Sequence, residues 1–212
     1  MKYKGIIFDL DGTLSDSVPC IMKCAELVHR DLGLKWDPEW QMKTIGTPLY
    51  QTARLLVSEE RVPEYVAANR RYSQKYLAEM IEPFAGIIPL LQDLQEAGAK
   101  MCVVTSRLKW GADLSCDKIG VTPYLTKIIG VEDTKTHKPE AEPALLALDV
   151  MGISATEAVF VGDSPVDIGC GQNAGMDSIA VGWGVTPKEK LLAADPTYFC
   201  QTVTELRKIL LG

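Results

Sequence analysis

The segment from Gly5 to Leu14 restricts the possible folds of this chain more than any other. It reads GIIFDLDGTL, an uninterrupted apolar run that ends in Asp9, Asp11 and Gly12. A short continuous apolar run is typical of a strand buried on both faces of a parallel sheet. Residues two apart on a strand face the same side, so Asp9 and Asp11 would present carboxylates about 6–7 Å apart. Such a pair suits a hard cation, and also a nucleophile with an acid partner.

An Asp-Gly pair after an apolar run is also typical of a β-hairpin turn. A hairpin needs a second strand directly after the turn. Here the segment from Cys20 to Val28 instead has apolar residues at helical spacing. The sequence therefore favours a strand that leads through a loop into a helix.

Composition and charge indicate a globular protein and argue against two classes of partner. A chain of 212 residues with 47% hydrophobic and 24% charged residues can bury a sizeable core. The net charge of -6 and the lack of a basic cluster argue against nucleic acid and against an anionic membrane surface. No apolar stretch reaches the roughly 18 residues of a membrane span, and the N-terminus lacks a signal-peptide pattern. We therefore expect a cytoplasmic protein, and the oligomeric state stays open.

The cysteines carry no recognisable function. In a cytosolic protein they would remain reduced. Cys20 and Cys24 are spaced as neighbours on one helix face, which could suggest a metal pair, but no nearby His or Cys completes a zinc pattern. Burial as small hydrophobic side chains is the favoured interpretation.

Further apolar runs follow the first one, and each leads through a loop into a helical pattern. They lie at residues 100–104, 158–161 and 178–181, with weaker candidates at 127–129 and 198–199. Buried strands that alternate with helices predict an α/β fold with a doubly wound, mainly parallel, Rossmann-like sheet.

Residues 16–82 interrupt this alternation. They contain no convincing strand but several helical stretches, including 52–60 and 65–81. We predict that residues 16–82 form a small inserted helical cap domain above the carboxyl end of the first strand. Residues 1–15 and 83–212 would then form the α/β core domain.

Reactive side chains follow the strands of the predicted sheet. Thr105 and Ser106 follow the second strand, Lys138 comes after the weak strand and opens a helix, and Asp163 and Asp167 follow the strand at 158–161. Ligands bind beyond the carboxyl ends of strands in open parallel sheets. The joint placement of these groups therefore indicates one site.

Each of these residues also has a purely structural interpretation. A threonine or serine can cap a helix, and most lysines are solvated on the surface. Ser164 and Asp167 have the spacing of a capping box at a helix start. It is the convergence of all of them at strand ends that favours a functional site.

Four segments resemble the signatures of the haloacid dehalogenase superfamily in its phosphatase form. They read FDLDGTL at 8–14, VVTS at 103–106, KP at 138–139, and GDS at 162–164 followed by Asp167. The resemblance extends over essentially the whole chain, and is nearest to the branch of phosphoglycolate phosphatases and related pyrophosphatases. In that branch a second proline often follows the Lys-Pro pair, whereas this chain has Ala141 there. We expect this difference to affect the loop and not the chemistry.

This resemblance implies a Mg²⁺-dependent phosphohydrolase that acts on a small phosphorylated metabolite of the phosphoglycolate type. Asp9 would attack phosphorus and form an aspartyl-phosphate, while Asp11 would act as the acid and then the base. Thr105, Ser106 and Lys138 would bind the phosphoryl oxygens.

The resemblance also implies a metal site and a substrate-binding surface. Mg²⁺ would be held by Asp9, the backbone carbonyl of Asp11, and Asp163, with Asp167 as a further or outer partner. Thr47 lies in a segment that resembles the cap loop of the family. Beside the site, Arg107 could meet a second anionic group of the substrate or form a surface salt bridge.

Three other functions stay open at this point. An inorganic pyrophosphatase would use the same chemistry, and a phosphosugar mutase would have to shield the aspartyl-phosphate from water. A non-catalytic phosphate-binding protein would be expected to lack at least one of Asp9, Asp11, Lys138 and Asp163, and all four are present.

Overall fold

Strands and helices alternate around a six-stranded parallel sheet in the computed structural model, which describes residues 1–212. The strands are β1 (Gly5–Phe8), β2 (Ser15–Asp16), β3 (Glu82–Pro83), β4 (Lys100–Val104), β5 (Lys127–Ile129), β6 (Ala158–Gly162), β7 (Asp177–Val181) and β8 (Tyr198–Cys200). The helices are α1 (Val18–Leu32), α2 (Pro38–Lys43), α3 (Leu49–Arg54), α4 (Val62–Met80), α5 (Ile87–Glu96), α6 (Lys109–Lys118), α7 (Glu142–Met151), α8 (Pro165–Asn173), α9 (Lys188–Ala193) and α10 (Val203–Leu211). None of the helices combines the length and apolarity needed to span a bilayer.

The main sheet has the strand order β5-β4-β1-β6-β7-β8, and every neighbouring pair in it is parallel. From β1 the chain builds β4 and β5 on one side, then crosses to build β6, β7 and β8 on the other. Strand β1 is therefore the point where the direction of winding reverses. Open α/β sheets bind their ligands at the carboxyl edge of such a point. The predicted α/β fold with an inserted helical cap is confirmed.

Burial on both faces explains the apolar sequence of β1. Ile6 and Phe8 pack into the hydrophobic cluster on one face of the sheet, and Ile7 packs into the cluster on the other face. All three side chains are fully buried. Because neither face meets water, the strand reads as a continuous apolar run and does not alternate.

Helices α1 to α4, here called the cap helices, have a small apolar cluster of their own. Its buried members are Val28, Ala53, Val62, Tyr65 and Ala68. The long helices α1 and α4 pack on each other, and α4 also packs on α6 of the core. The domain boundaries given above stay a prediction.

The prediction that residues 16–82 contain no strand is wrong at both ends of that segment. Ser15–Asp16 pairs in antiparallel fashion with Glu82–Pro83, where the chain leaves and re-enters the core. A strand of two residues is too short to show a hydrophobic period, so no sequence pattern marks it.

The helical stretch predicted at 52–60 is wrong in extent. Helix α3 ends at Arg54, and a separate 3₁₀ turn covers Glu59–Arg61. Ser58 lies between them with an extended backbone (φ −63°, ψ 156°), which interrupts the helix.

Candidate active site

Three polar residues directly follow the central strands and lie on one rim of the sheet. The N–H of Asp9 donates to Val161 O at 2.9 Å, and the N–H of Thr105 donates to Ile129 O at 3.0 Å. These bonds extend the parallel ladders one residue past the strand ends. Asp163 follows β6 in the same way, and all three polar residues are buried. The sheet itself therefore sets their relative positions.

Lys138 lies at the centre of this rim. Its Nζ donates to Asp9 Oδ1 at 2.5 Å and to Asp167 Oδ1 at 2.6 Å, and the side chain is only 4% exposed. Burial lowers the pKa of Lys138, but the carboxylates of Asp167 and Asp9 outweigh it and raise the pKa above its ordinary value. Lys138 is thus a buried, charged ammonium and not a solvated surface lysine.

The expectation that Lys138 opens a helix is wrong. Helix α7 begins at Glu142, and Lys138 lies in the turn before it. A residue that precedes proline is disfavoured in helical conformation, which keeps Lys138 outside the helix. The Glu142 carboxylate accepts the N–H of Lys135 and of Thr136 and so closes the loop that presents Lys138.

Asp167 caps helix α8 and also contacts Lys138 in the site. Its Oδ2 accepts the N–H of Ser164 at 3.1 Å and the hydroxyl of Ser164 at 2.5 Å, which is a capping box at the start of α8. Its Oδ1 accepts from Lys138. The cap of α8 therefore fixes a carboxylate whose other oxygen belongs to the site.

Three carboxylates of the site fit a magnesium ion. Oxygens of Asp9, Asp163 and Asp167 all lie within 4.8 Å of one another, and the three residues are buried. Burial, together with the neighbouring carboxylates, raises the pKa of Asp9 and raises that of Asp163 to about 7. A bound cation would relieve this repulsion, and an all-oxygen donor set is what Mg²⁺ requires.

Two glycines make room for Asp163. A Cβ at Gly184 would lie 2.1 Å from Asp163 Oδ2, and one at Gly12 would lie 2.4 Å from the same oxygen. The N–H of Val185 donates to this oxygen at 3.3 Å. The loop after β7 is therefore part of the site.

Asp11 lies outside the cluster of three carboxylates and bonds to other groups. Its Oδ2 accepts from Arg107 Nε at 2.6 Å, and its Oδ1 accepts from the hydroxyl of Ser17. The ion pair lies inside the cleft, with 15% of the Arg107 side chain and 11% of the Asp11 side chain exposed. Arg107 therefore forms a salt bridge, as one of its two predicted alternatives has it, but this bridge lies inside the cleft and not on the surface.

A single cleft between the sheet rim and the cap helices brings the predicted site residues together. It has a cavity volume of about 130 Å³. Every residue predicted for the site contributes to its lining: Asp9, Asp11, Thr47, Thr105, Ser106, Arg107, Lys138, Asp163 and Asp167. The structure places these residues in one cleft, and their chemical roles stay predictions.

One family model matches most of the chain. Residues 6–181 match the family model described as haloacid dehalogenase-like hydrolase. The chain belongs to the haloacid dehalogenase-like hydrolase family. The resemblance noted from the sequence is confirmed.

Proteins similar to this haloacid dehalogenase-like hydrolase are named as hydrolases or phosphatases. A protein of Caldanaerobacter subterraneus subsp. tengcongensis named "Putative pyrophosphatase PpaX" is 35% identical over 213 residues, which cover 100% of this chain and 96% of the relative. A crystal structure named "Putative haloacid dehalogenase-like hydrolase" from Bacteroides fragilis has a TM-score of 0.89 at 25% identity, over 97% of this chain and 100% of that one. A structure from Haemophilus somnus, named "predicted phosphoglycolate phosphatase", has a TM-score of 0.89 over 99% and 98% of the two chains. At 21% identity, the last of these shows the fold alone.

The sequence reasoning missed two parts of this hydrolase site. Ser17, which binds Asp11, lies in the short loop before α1 and has no motif around it. The loop after β7 did carry a signal, because Gly182 and Gly184 directly follow a predicted strand at the same edge of the sheet. Glycine there indicates a close approach to another group.

Proposed function

We propose that this hydrolase is a Mg²⁺-dependent phosphohydrolase that acts on a small phosphorylated compound through an aspartyl-phosphate. The observation that carries the proposal is the position of Lys138. Its buried ammonium bonds Asp9 and Asp167 together, at the rim where Thr105 also lies. An ammonium, a hydroxyl and a set of carboxylates around one cleft suit a transferring phosphoryl group.

The proposed metal site uses residues that the fold already holds in place. Asp9, Asp163 and Asp167 would hold Mg²⁺, together with the backbone carbonyl of Asp11. When bound, the ion would offset the charge of the phosphoryl oxygens and so let an anionic nucleophile approach.

The proposed reaction has two steps. A carboxylate oxygen of Asp9 attacks phosphorus, the bond from phosphorus to the leaving oxygen breaks, and Asp11 gives that oxygen a proton. A water molecule then attacks phosphorus and gives its proton to Asp11. The bond between phosphorus and Asp9 breaks, which releases phosphate and restores the carboxylate.

Lys138 and Thr105 support both steps. The ammonium of Lys138 orients Asp9 and offsets negative charge that develops beside it. Thr105 Oγ1 accepts the N–H of Arg107 at 3.2 Å, which leaves the hydroxyl hydrogen free to be donated to a phosphoryl oxygen. Ser106 would add a further donor from the same loop.

Inorganic pyrophosphate is the first substrate to test. The relative at 35% identity over the whole chain is named a pyrophosphatase. The structure named a phosphoglycolate phosphatase supports the fold and leaves the substrate open. A phosphomonoester of the phosphoglycolate type, as predicted from the sequence, is the second candidate.

The test is phosphate release from pyrophosphate, phosphoglycolate and a panel of small phosphate esters, with Mg²⁺ or with EDTA. Asp9→Asn runs beside the wild type. The matched control is Asp113→Asn, because Asp113 is a half-exposed residue that pairs with Lys109 and does not line the cleft. We expect release that needs Mg²⁺, that Asp9→Asn abolishes, and that Asp113→Asn retains. No release from any compound would contradict the proposal, and sugar-phosphate isomerisation would then be measured to identify a mutase.

A further inference from the structure

The cleft is lined by two cationic side chains, and only one of them is fully engaged. Lys138 bonds two carboxylates at its centre. Arg107 bonds Asp11 through Nε alone, while its Nη2 is buried and has no hydrogen-bond partner. A buried guanidinium nitrogen without an acceptor is rare in folded proteins, because such donors are normally paired.

The rest of the cleft offers Arg107 no other anion. The acidic residues in the lining are Asp9, Asp11, Asp163 and Asp167, and three of these form the cluster around Lys138. The cap helices and their loops contribute uncharged side chains only, among them Thr47 and Asn69. An anionic group that enters between the cap and the rim therefore has Arg107 as its one available cationic partner.

We propose that Arg107 binds a second anionic group, carried by the leaving group of the substrate, and releases Asp11 as it does so. This inference rests on the proposed phosphohydrolase function, because it concerns the leaving group of that reaction. It names the substrate class: phosphate esters or anhydrides whose leaving group carries its own carboxylate or phosphate.

The proposed change of partner at Arg107 affects catalysis because Asp11 is held in place by this ion pair. Both oxygens of Asp11 are engaged, Oδ1 by Ser17 and Oδ2 by Arg107. To donate a proton, Asp11 must turn one oxygen toward the leaving oxygen. An anionic leaving group replaces Asp11 as the partner of Arg107, so the guanidinium stays neutralised while Asp11 is freed.

A neutral leaving group gives no such replacement. It would have to break the ion pair between Arg107 and Asp11 and leave a largely buried guanidinium without an anion. The cleft thus selects for anionic leaving groups in two ways. Arg107 binds the anion directly, and a simple alkyl phosphate must break the ion pair between Arg107 and Asp11 without replacing it.

The experiment compares phosphoglycolate with ethyl phosphate, which differs mainly by a methyl group in place of the carboxylate. Wild type, Arg107→Met, Arg107→Lys and the exposed control Arg61→Met are assayed for kcat/KM on both compounds and on pyrophosphate. We expect Arg107→Met to lower kcat/KM by about 100-fold for phosphoglycolate and for pyrophosphate, as for the loss of a hydrogen-bonded charge pair. For ethyl phosphate kcat/KM should change by less than about 10-fold in either direction, because this leaving group makes no bond to Arg107 and the variant no longer holds Asp11. Arg107→Lys should recover part of the preference for phosphoglycolate.

An equal loss on all three compounds would overturn the inference, because Arg107 would then act on Asp11 alone. The phosphatase function would survive that result. A second measurement uses Asp9→Asn, which binds without turnover, and compares it with Asp9→Asn combined with Arg107→Met. If wild type releases no phosphate but Arg107→Met still weakens binding of phosphoglycolate relative to ethyl phosphate, the proposed function fails and the anion site stands. Unchanged relative binding would overturn the anion site whatever the activity.

Discussion

At the scale of single residues, the site depends on one ammonium among acidic groups. Lys138 is nearly inaccessible to solvent and touches two carboxylates, and no other cationic side chain of the cleft reaches them. Removal of one partner from a buried ion pair is strongly destabilising, because it leaves uncompensated charge. Lys138 should therefore matter for stability as well as for turnover.

Lys138→Met tests this double role. We expect kcat to fall by more than about 100-fold, since a charge that stabilises the transition state is lost. The free energy of unfolding in EDTA should fall by about 3–5 kcal/mol, because Asp9 and Asp167 lose their buried partner. Phosphate release and denaturant unfolding measure the two effects, with the exposed Lys135→Met as the control. An unfolding free energy equal to that of wild type would show that the carboxylates need no ammonium.

At the scale of elements, the loops that follow the strands bring the site together. Asp163 belongs to the loop after β6, yet the loops after β1 and β7 leave the space that its carboxylate fills through Gly12 and Gly184. The position of one metal-binding candidate thus depends on three separate connections. A single added methyl group is enough to disturb it.

Gly12→Ala and Gly98→Ala form a matched pair that isolates this effect. Both glycines have a left-handed backbone (φ 86° and 84°), so alanine should cost each about 1–2 kcal/mol of stability. An added Cβ at Gly98 meets nothing within 4 Å, whereas at Gly12 it meets Asp163. We expect only Gly12→Ala to weaken Mg²⁺ binding, by about 10-fold or more, as measured by calorimetry. Equal Mg²⁺ affinity in the two variants would refute this account of Asp163.

The elements also differ in how far the sequence alone could define them. The strands of the main sheet were predictable because burial on both faces makes them continuously apolar. The site residues were predictable as a group because parallel strands place their carboxyl ends on one edge. The pair β2 and β3 was not predictable, and neither was the bond from Ser17 to Asp11. The two strands pair across segments that are far apart along the chain, and the bond from Ser17 to Asp11 lies in a short loop. Neither place has a periodic sequence pattern.

At the scale of the whole molecule, the acidic cluster links stability to pH. The pKa of Asp163 is raised from 3.8 to about 7 by burial first and by the nearby Asp167 charge second. In the metal-free protein the unfolded chain therefore releases this proton at lower pH than the folded protein does. The stabilisation from Asp163 is fully present below about pH 4 and is lost as the pH rises through about 7.

Asp163→Asn separates this contribution from that of other groups. In EDTA we expect the variant and wild type to differ little in stability below about pH 4, where Asp163 keeps its proton in the folded and in the unfolded protein. At pH 8 the variant should be more stable, on the order of 2–4 kcal/mol. Saturating Mg²⁺ should reverse the order, since it binds the folded wild type. Thermal unfolding across this range measures the difference, and a constant difference between the two proteins in EDTA would contradict it.

The central position of β1 has a consequence for how the protein is made. This strand is synthesised well before its two neighbours in the sheet, which are Lys100–Val104 and Ala158–Gly162. Until then an apolar strand remains without partners, which is a known hazard for aggregation. The site around the nucleophile candidate Asp9 is also incomplete until then, since Lys138 and Asp163 come from the second half of the chain. A nascent or truncated chain that ends before β6 should therefore be both prone to aggregate and inactive.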